Sequence, residues 1–336
     1  MNVSALKHDL YRVTDETLDS LGELWSNPAN RLSWDCPFVS PPWLKAWMDS
    51  FGDDLTPYLR AVRVRGELIG VAPLTINSAD KTVTFMGHTS VCDYLDFVIV
   101  PGSETEFFAG LVRDLRRRGV KYLVLESVRA DSSVLTVLKG MAAQLGFRMV
   151  SEVQDVAMAV ALPKTWQKYL MQLPGKHRHE IRRKLRRLYD AGPVAFIPAE
   201  NLNQTDRAIE TLLELFQKNR PEKAAFMTQQ MAVFFRSLAR ALAEAGMLKL
   251  FTLLIDGVTA AAVMCFDFRS TRYLYNNAYD ERFSRLSVGL MSKVLSLKDG
   301  LQSGLTTYDF LKGGEPYKRR LGGIPLQLCH CRVELD

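Results

Sequence analysis

The chain has 336 residues, 47% of them apolar and 24% charged, with a formal net charge of +6. That length predicts two domains, since single domains run ~100–200 residues, and the apolar content lets each bury its own core. The longest apolar run, Val258 to Phe266 apart from Thr259, falls short of the ~18–20 residues that a membrane span needs. The stretch Met1 to Glu16 carries Lys7, Asp9 and Arg12 and has no apolar core of a signal peptide. A cytoplasmic protein is expected, with no membrane span. The cysteines, Cys36, Cys92, Cys265, Cys329 and Cys331, form no C-x-x-C pair. Cys329-His330-Cys331 supplies too few ligands for a metal site and reads as part of a strand, so no metal is expected.

Taken in order, residues 14–56 read as helices and loops, with Trp25, Trp34, Trp43 and Trp47 crowded together. Ser40 precedes Pro41-Pro42-Trp43 and suits a helix start. The tryptophans are either core or the aromatic wall of an acceptor pocket, with Trp34 and Trp43 the candidates. From Tyr58 the period becomes that of strands: Tyr58–Val64 and Leu68–Ile76 around an Arg65-Gly66-Glu67 turn, then Thr82–Met86 and Leu95–Val100. The polar segment between the last two carries Asp93, and Asp96 follows at the start of the second; both are assigned to substrate binding. Glu104–Arg118 has helical spacing, Lys121–Glu126 reads as a strand, Asp131–Leu145 as a helix, and Arg148–Val150 begins another strand.

The second half repeats that order. Val156–Leu162 is a strand, Trp166–Leu173 and His177–Tyr189 are helices, and Val194–Pro198 is a strand. Helices over Asp206–Gln217 and Gln229–Ala245 precede strands over Leu248–Ile255, Val258–Phe268 and Thr271–Tyr279. Asp256-Gly257 makes a hairpin. A helix over Ser287–Gln302 and strands over Thr306–Leu311 and Pro325–Val333 complete the chain. Gly66–Leu74 aligns with Gly257–Cys265, so the fold class is α+β with an internal repeat. The predicted domains are 1–155 and 156–336, with a cleft between them.

Charge is concentrated. Lys176, Arg178, Arg182, Arg183, Lys184, Arg186 and Arg187 stand against Glu180 alone, seven minus one, so this segment holds the whole net charge of +6. It is either a solvated helix face or an anion site for a nucleotide-sugar diphosphate, CoA phosphate or RNA. Lys176 and Arg178 are its substrate-binding candidates. No aromatics are interleaved for base stacking. Hydrolase, zinc-protease, P-loop and Rossmann motifs are all absent.

The densest chemistry lies in Tyr308-Asp309-Phe310-Leu311-Lys312-Gly313-Gly314-Glu315-Pro316-Tyr317-Lys318. An acid near a strand end is followed by a glycine break, then an acid, a phenol and an amine. The set fits either a site or a loop braced by an Asp309–Lys318 ion pair. This segment resembles the C-terminal signature of GNAT-like acyltransferases associated with cellulose and exopolysaccharide biosynthesis. It is also similar to Fem-type transferases, whose F-K-x-x-F-G motif is matched by Tyr317-Lys318-Arg319-Arg320-Leu321-Gly322, with both aromatics changed.

The resemblance implies two tandem GNAT-like domains, each a mixed central sheet flanked by helices. It implies an acyl-CoA donor, acetyl-CoA foremost, and an amine acceptor on a sugar, amino acid or envelope precursor. Aminoacyl-tRNA is the alternative donor, and a non-catalytic scaffold in polysaccharide assembly is a further alternative. The donor would lie between Thr271–Tyr279 and Thr306–Leu311, with its pyrophosphate at the helix starting near Ser287. Tyr279, Ser284, Arg285, Ser287 and Gly289 are the expected donor contacts. The family run Q/R-x-x-G-x-G/A survives only at Gly289. Asp309, Lys318 and Tyr317 are the expected catalytic residues, as base or orienting acid, oxyanion stabiliser and thiolate-protonating phenol.

Overall fold

The computed structural model describes residues 10–218 and 225–336. The charged N-terminal positions Lys7 and Asp9 lie outside the described residues. The chain divides into two compact units, one running to Asp155 and including Gln327–Asp336, the other Val156–Leu326.

The first unit begins with a strand that the residue pattern did not show, β1 (Tyr11–Glu16), followed by helices α1 (Leu18–Ser26) and α2 (Pro41–Phe51). Strands β2 (Thr56–Val64), β3 (Glu67–Asn77), β4 (Thr82–Phe85), short β5 (Val98–Ile99), helix α3 (Glu104–Arg117) and strand β6 (Tyr122–Arg129) follow. The expected strand over Leu95–Val100 shrinks to β5. A π-helical turn (Val134–Leu138) leads into α4 (Lys139–Gln144). The expected strands at Arg148–Val150 and Val156–Leu162 are one, β7 (Met149–Ala161). Its middle is exposed, so no buried face marked the continuity.

In the second unit come α5 (Trp166–Gln172), α6 (Gly175–Tyr189), β8 (Val194–Pro198), α7 (Leu202–Gln217) and α8 (Gln229–Glu244). Then follow β9 (Leu248–Ile255), β10 (Val258–Phe268), β11 (Thr271–Tyr279), a 3-10 turn (Glu281–Leu286) and α9 (Val288–Gln302). The order closes with β12 (Thr307–Lys312), α10 (Pro316–Arg320) and β13 (Ile324–Glu334). No described helix is long and apolar enough to cross a membrane.

The two units share one strand plan. Their orders are β1-β2-β3-β4-β6-β13 and β8-β9-β10-β11-β12-β7. The fourth and fifth strands pair in parallel in each, β4 with β6 and β11 with β12. Both central hairpins turn on residues of positive φ, Arg65-Gly66 and Asp256-Gly257, as two-residue turns between right-twisted strands require. Each hairpin has a β-bulge at the same aligned position: Ile69 in β3 and Ala260 in β10 are the extra residues. One predicted boundary changes. β13, assigned by sequence to the C-terminal domain, pairs antiparallel with β6 of the first unit.

The second unit is held from within by Arg272 of β11, which is fully buried. Its guanidinium donates two bonds to Asp267, at 2.7 and 2.9 Å, one to Asp299 at 2.7 Å and one to the Ser296 carbonyl at 2.8 Å. Burial works against its charge, but the Asp267 and Asp299 carboxylates outweigh it and hold the group protonated. One side chain thereby ties β10, β11 and α9 together. A Cβ at Gly300 would stand 3.4 Å from the Arg272 side chain, an ordinary van der Waals contact. Arg272→Ala is expected to cost about 2–4 kcal/mol in urea unfolding, because it removes the buried cation that ties two partly buried carboxylates and a helix carbonyl together.

Candidate functional site

The β11–β12 ladder is short. It pairs Thr271, Arg272 and Tyr273 with Thr307, Tyr308 and Asp309 and then stops. Beyond it β11 continues to Tyr279, while β12 pairs across a bulge with β7. Tyr275 is the extra residue where β11 meets β10, and Leu311 in the β12 bulge has φ +61°. The parting of two parallel strands leaves a gap that no ladder fills.

A cavity of about 230 Å³ is lined by the end of β11, the 3-10 turn, the first turns of α9 and Tyr317 of α10. Tyr279, Ser284, Ser287, Gly289 and Tyr317, expected from the sequence, all line it, and so do Val288, Leu290 and Lys293. Arg285 does not; it is exposed on the turn. Ser287 takes a left-handed conformation (φ +58°, ψ +36°) as the residue before α9. The amides of Val288 and Gly289 open the helix, where no preceding turn offers an acceptor. Gly289 is required by close approach: a Cβ there would stand 2.6 Å from the Tyr279 ring.

Lys293, one turn further along α9, is a cavity-lining residue that the sequence reading missed. Its ammonium donates to Asn277 Oδ1 at 2.7 Å and the Gly289 carbonyl at 2.9 Å, and lies 4.7 Å from the Tyr317 ring centroid. The i, i+4 spacing from Gly289 was its available signal. The lining thus offers amide, hydroxyl and ammonium donors at the positive end of a helix, and no carboxylate. An anion is the ligand such a wall favours. Tyr317 is largely withdrawn from water. Burial, then the Glu315 and Cys265 side chains, push its phenol well above the ordinary tyrosine range, so it stays protonated.

Lys318 does something other than face the cavity. It is 2% exposed. Its three protons have three acceptors: the Leu311 carbonyl at 3.1 Å, the Lys312 carbonyl at 2.5 Å and Glu315 at 2.9 Å. Its ion pair is therefore with Glu315 rather than with Asp309. Asp309, also buried, accepts the Leu311 amide at 2.7 Å and fixes the left-handed bulge residue. Together they shape the loop that delivers Tyr317.

The remaining candidates do not gather at this cavity. Trp34 and Trp43 are buried in the first unit, against Trp25 at 5.0 Å and Phe38 at 4.6 Å between ring centroids. Both fill the core of the first unit rather than a surface wall. Asp93 and Asp96 lie in the segment before β5 of the same unit. Burial of the Asp96 carboxyl pushes its pKa up to about 7, opposed by the Phe97 amide at 2.8 Å and reinforced by Asp131. In the second unit Lys176 is exposed on α6, and Arg178 reaches Met171 Sδ at 3.4 Å.

Residues 175–319 match the family model for an acetyltransferase (GNAT) domain, Acetyltransf_6. The structure is similar to that of FemX, with a TM-score of 0.66 at 13% identity, covering 95% of this chain and 96% of that one. It is also similar to a tandem GNAT protein from the clavulanic acid biosynthesis pathway, with a TM-score of 0.53 at 10% identity over 97% and 99% of the two chains. This chain has a tandem GNAT-like fold. A third likeness, with a TM-score of 0.58 at 10% identity over 94% and 92%, is to the C-terminal domain of a putative lysylphosphatidylglycerol synthetase from Agrobacterium fabrum. No curated protein matches the chain in sequence. Within the GNAT-like fold, the cavity sits where the fourth and fifth strands of the second unit part.

Two outcomes follow from these placements. Lys318→Ala strands two buried carbonyls and is expected to lower stability by about 2–4 kcal/mol in thermal or urea melts. For Asp96, whose folded pKa is raised, stability is fully present below the unfolded value and is lost as pH rises through about 7. Asp96→Asn should therefore gain on the wild type progressively between about pH 4 and 7, with the difference level above that, read as melting temperature against pH.

Proposed function

We propose that the second unit is an N-acyltransferase that moves an acyl group from acyl-CoA, acetyl-CoA foremost, to the amine of a sugar, amino acid or cell-envelope precursor in the cytoplasm. The observation that carries this reading is the donor-only cavity at the start of α9, beside the parted β11 and β12. Ser284, Ser287, the α9 amides and Lys293 would hold donor phosphate or carbonyl oxygen. A neutral acceptor amine attacks the thioester carbonyl, the C–S bond breaks as the C–N bond forms, and Tyr317 gives its proton to the departing thiolate. The amine's proton leaves to water, and water returns a proton to Tyr317. Asp309 and Lys318 act as positioning residues, through the Leu311 amide and the loop carbonyls.

The repeated fold supports assigning the donor to one unit only. In the first unit, α3 opens with Glu104 and Glu106 in its first turn, which neutralise the helix dipole. α9 has no acid in its first turn. A second reading, aminoacyl-tRNA as donor in the Fem manner, is favoured by the incomplete glycine run around Gly289 and by the basic α6.

Calorimetry with CoA, acetyl-CoA and charged tRNA separates the readings. Acetyl-CoA is expected to bind, and Lys293→Met to weaken it about tenfold by removing a charge-assisted contact. Tyr317→Phe should keep donor affinity within a few-fold while lowering kcat ~10²-fold or more. Binding of charged tRNA without CoA would select the second reading. Binding of neither would make the chain a non-catalytic scaffold.

A further inference from the structure

α6 has a buried stripe, Ile181 and Leu188, and a face that no described element covers in full. Lys176, Arg183, Arg186 and Arg187 are exposed there. The helix's only carboxylate, Glu180, bridges Lys184 at 3.1 Å and has Arg183 and Arg320 beside it, so it offsets little of the helix's charge. One flank differs in kind. Arg178, Arg182 and Tyr189 recur at spacings that bring them to the same side of a helix. Met171 of α5 joins them through its contact with Arg178. Met171 is 64% exposed and Tyr189 51% exposed.

We propose that this flank, together with the adjoining exposed face that carries Arg183 and Arg186, docks on an anionic lipid bilayer surface. Cations near such a surface are drawn to its negative potential. The thioether and the phenol ring gain in addition by entering the headgroup boundary, where an amphipathic ring is at home. A nucleic-acid backbone would meet the same arginines but would give Met171 no apolar environment. The exposed apolar pair is what favours lipid. This docking is independent of the reaction proposed above.

The test is co-sedimentation of the full chain with phosphatidylcholine vesicles, with and without phosphatidylglycerol, alongside binding to a short RNA duplex. Binding to the anionic vesicles alone, weakened by salt, is the expected result. Arg183→Glu with Arg186→Glu should reduce it at least about tenfold. Met171→Ser with Tyr189→Ser keeps the net charge and should reduce vesicle binding about threefold or more, leaving any RNA binding unchanged. Thermal melts should show both double variants folded, since all four side chains are exposed. The proposal is overturned by failure to sediment with anionic vesicles. It is equally overturned by unchanged sedimentation of the Met171/Tyr189 variant, or by full displacement of the protein from vesicles by the RNA at equal phosphate.

Discussion

The second unit depends on two parallel strands that must pair at one end and part at the other. Pairing is enforced from below by Arg272, whose five donor positions reach two carboxylates and a helix carbonyl. Parting is enforced by the bulge in β12, where Leu311 takes φ +61°. A branched residue in that conformation costs energy unless its neighbours fix it. Asp309 fixes it through the Leu311 amide, and Lys318 fixes it through the Leu311 carbonyl. The gap, the cavity beside the helix start and the placement of Tyr317 all follow from that arrangement.

The first unit shows what the same strand plan does without those features. Its hairpin carries the same bulge, and its parallel pair has the same place in the sheet. Its helix α3 nevertheless begins with two acids, and its own buried cation, Arg60, is used on Asp114 within the core. Aromatic rings fill the interior: Phe107 packs on Phe97 and Phe108 at 5.4 and 5.3 Å. Gly70 is close enough to the Phe107 ring that a Cβ would stand 2.4 Å from it. The two copies of the strand plan thus differ at this helix: its first turn carries two acids in the first unit and none in the second.

Lys318 illustrates how a residue at a motif position can serve the site without touching it. A buried ammonium is tolerated only when its protons are all accepted and its charge is balanced. Two carbonyls and Glu315 meet that demand. Lys293, by contrast, keeps its ammonium at the cavity wall with Asn277, the Gly289 carbonyl and the Tyr317 ring around it. A cation near a helix N-terminus is electrostatically unfavourable by itself, and an anionic ligand relieves that tension.

The residue pattern by itself determined the α+β class, the repeat, and nearly every strand and helix of the second unit. Apolar alternation and positive-φ turn residues such as Asp256-Gly257 are local signals. Tyr279, Ser284, Arg285, Ser287, Gly289 and Tyr317 came forward only through the resemblance to GNAT-like proteins, and all but Arg285 line the cavity. Only the tertiary structure decided the rest. The assignment of β13 to the first unit is a pairing across most of the chain length, which no local pattern encodes. The continuity of β7 was hidden because its middle is exposed and lacks alternation. Trp34 and Trp43 carry the same composition signal whether they line a pocket or fill a core, and burial alone distinguishes them. The partner of Lys318 depended on where a bulge turned two carbonyls, and the value of Lys293 on what the strand beside it placed within reach.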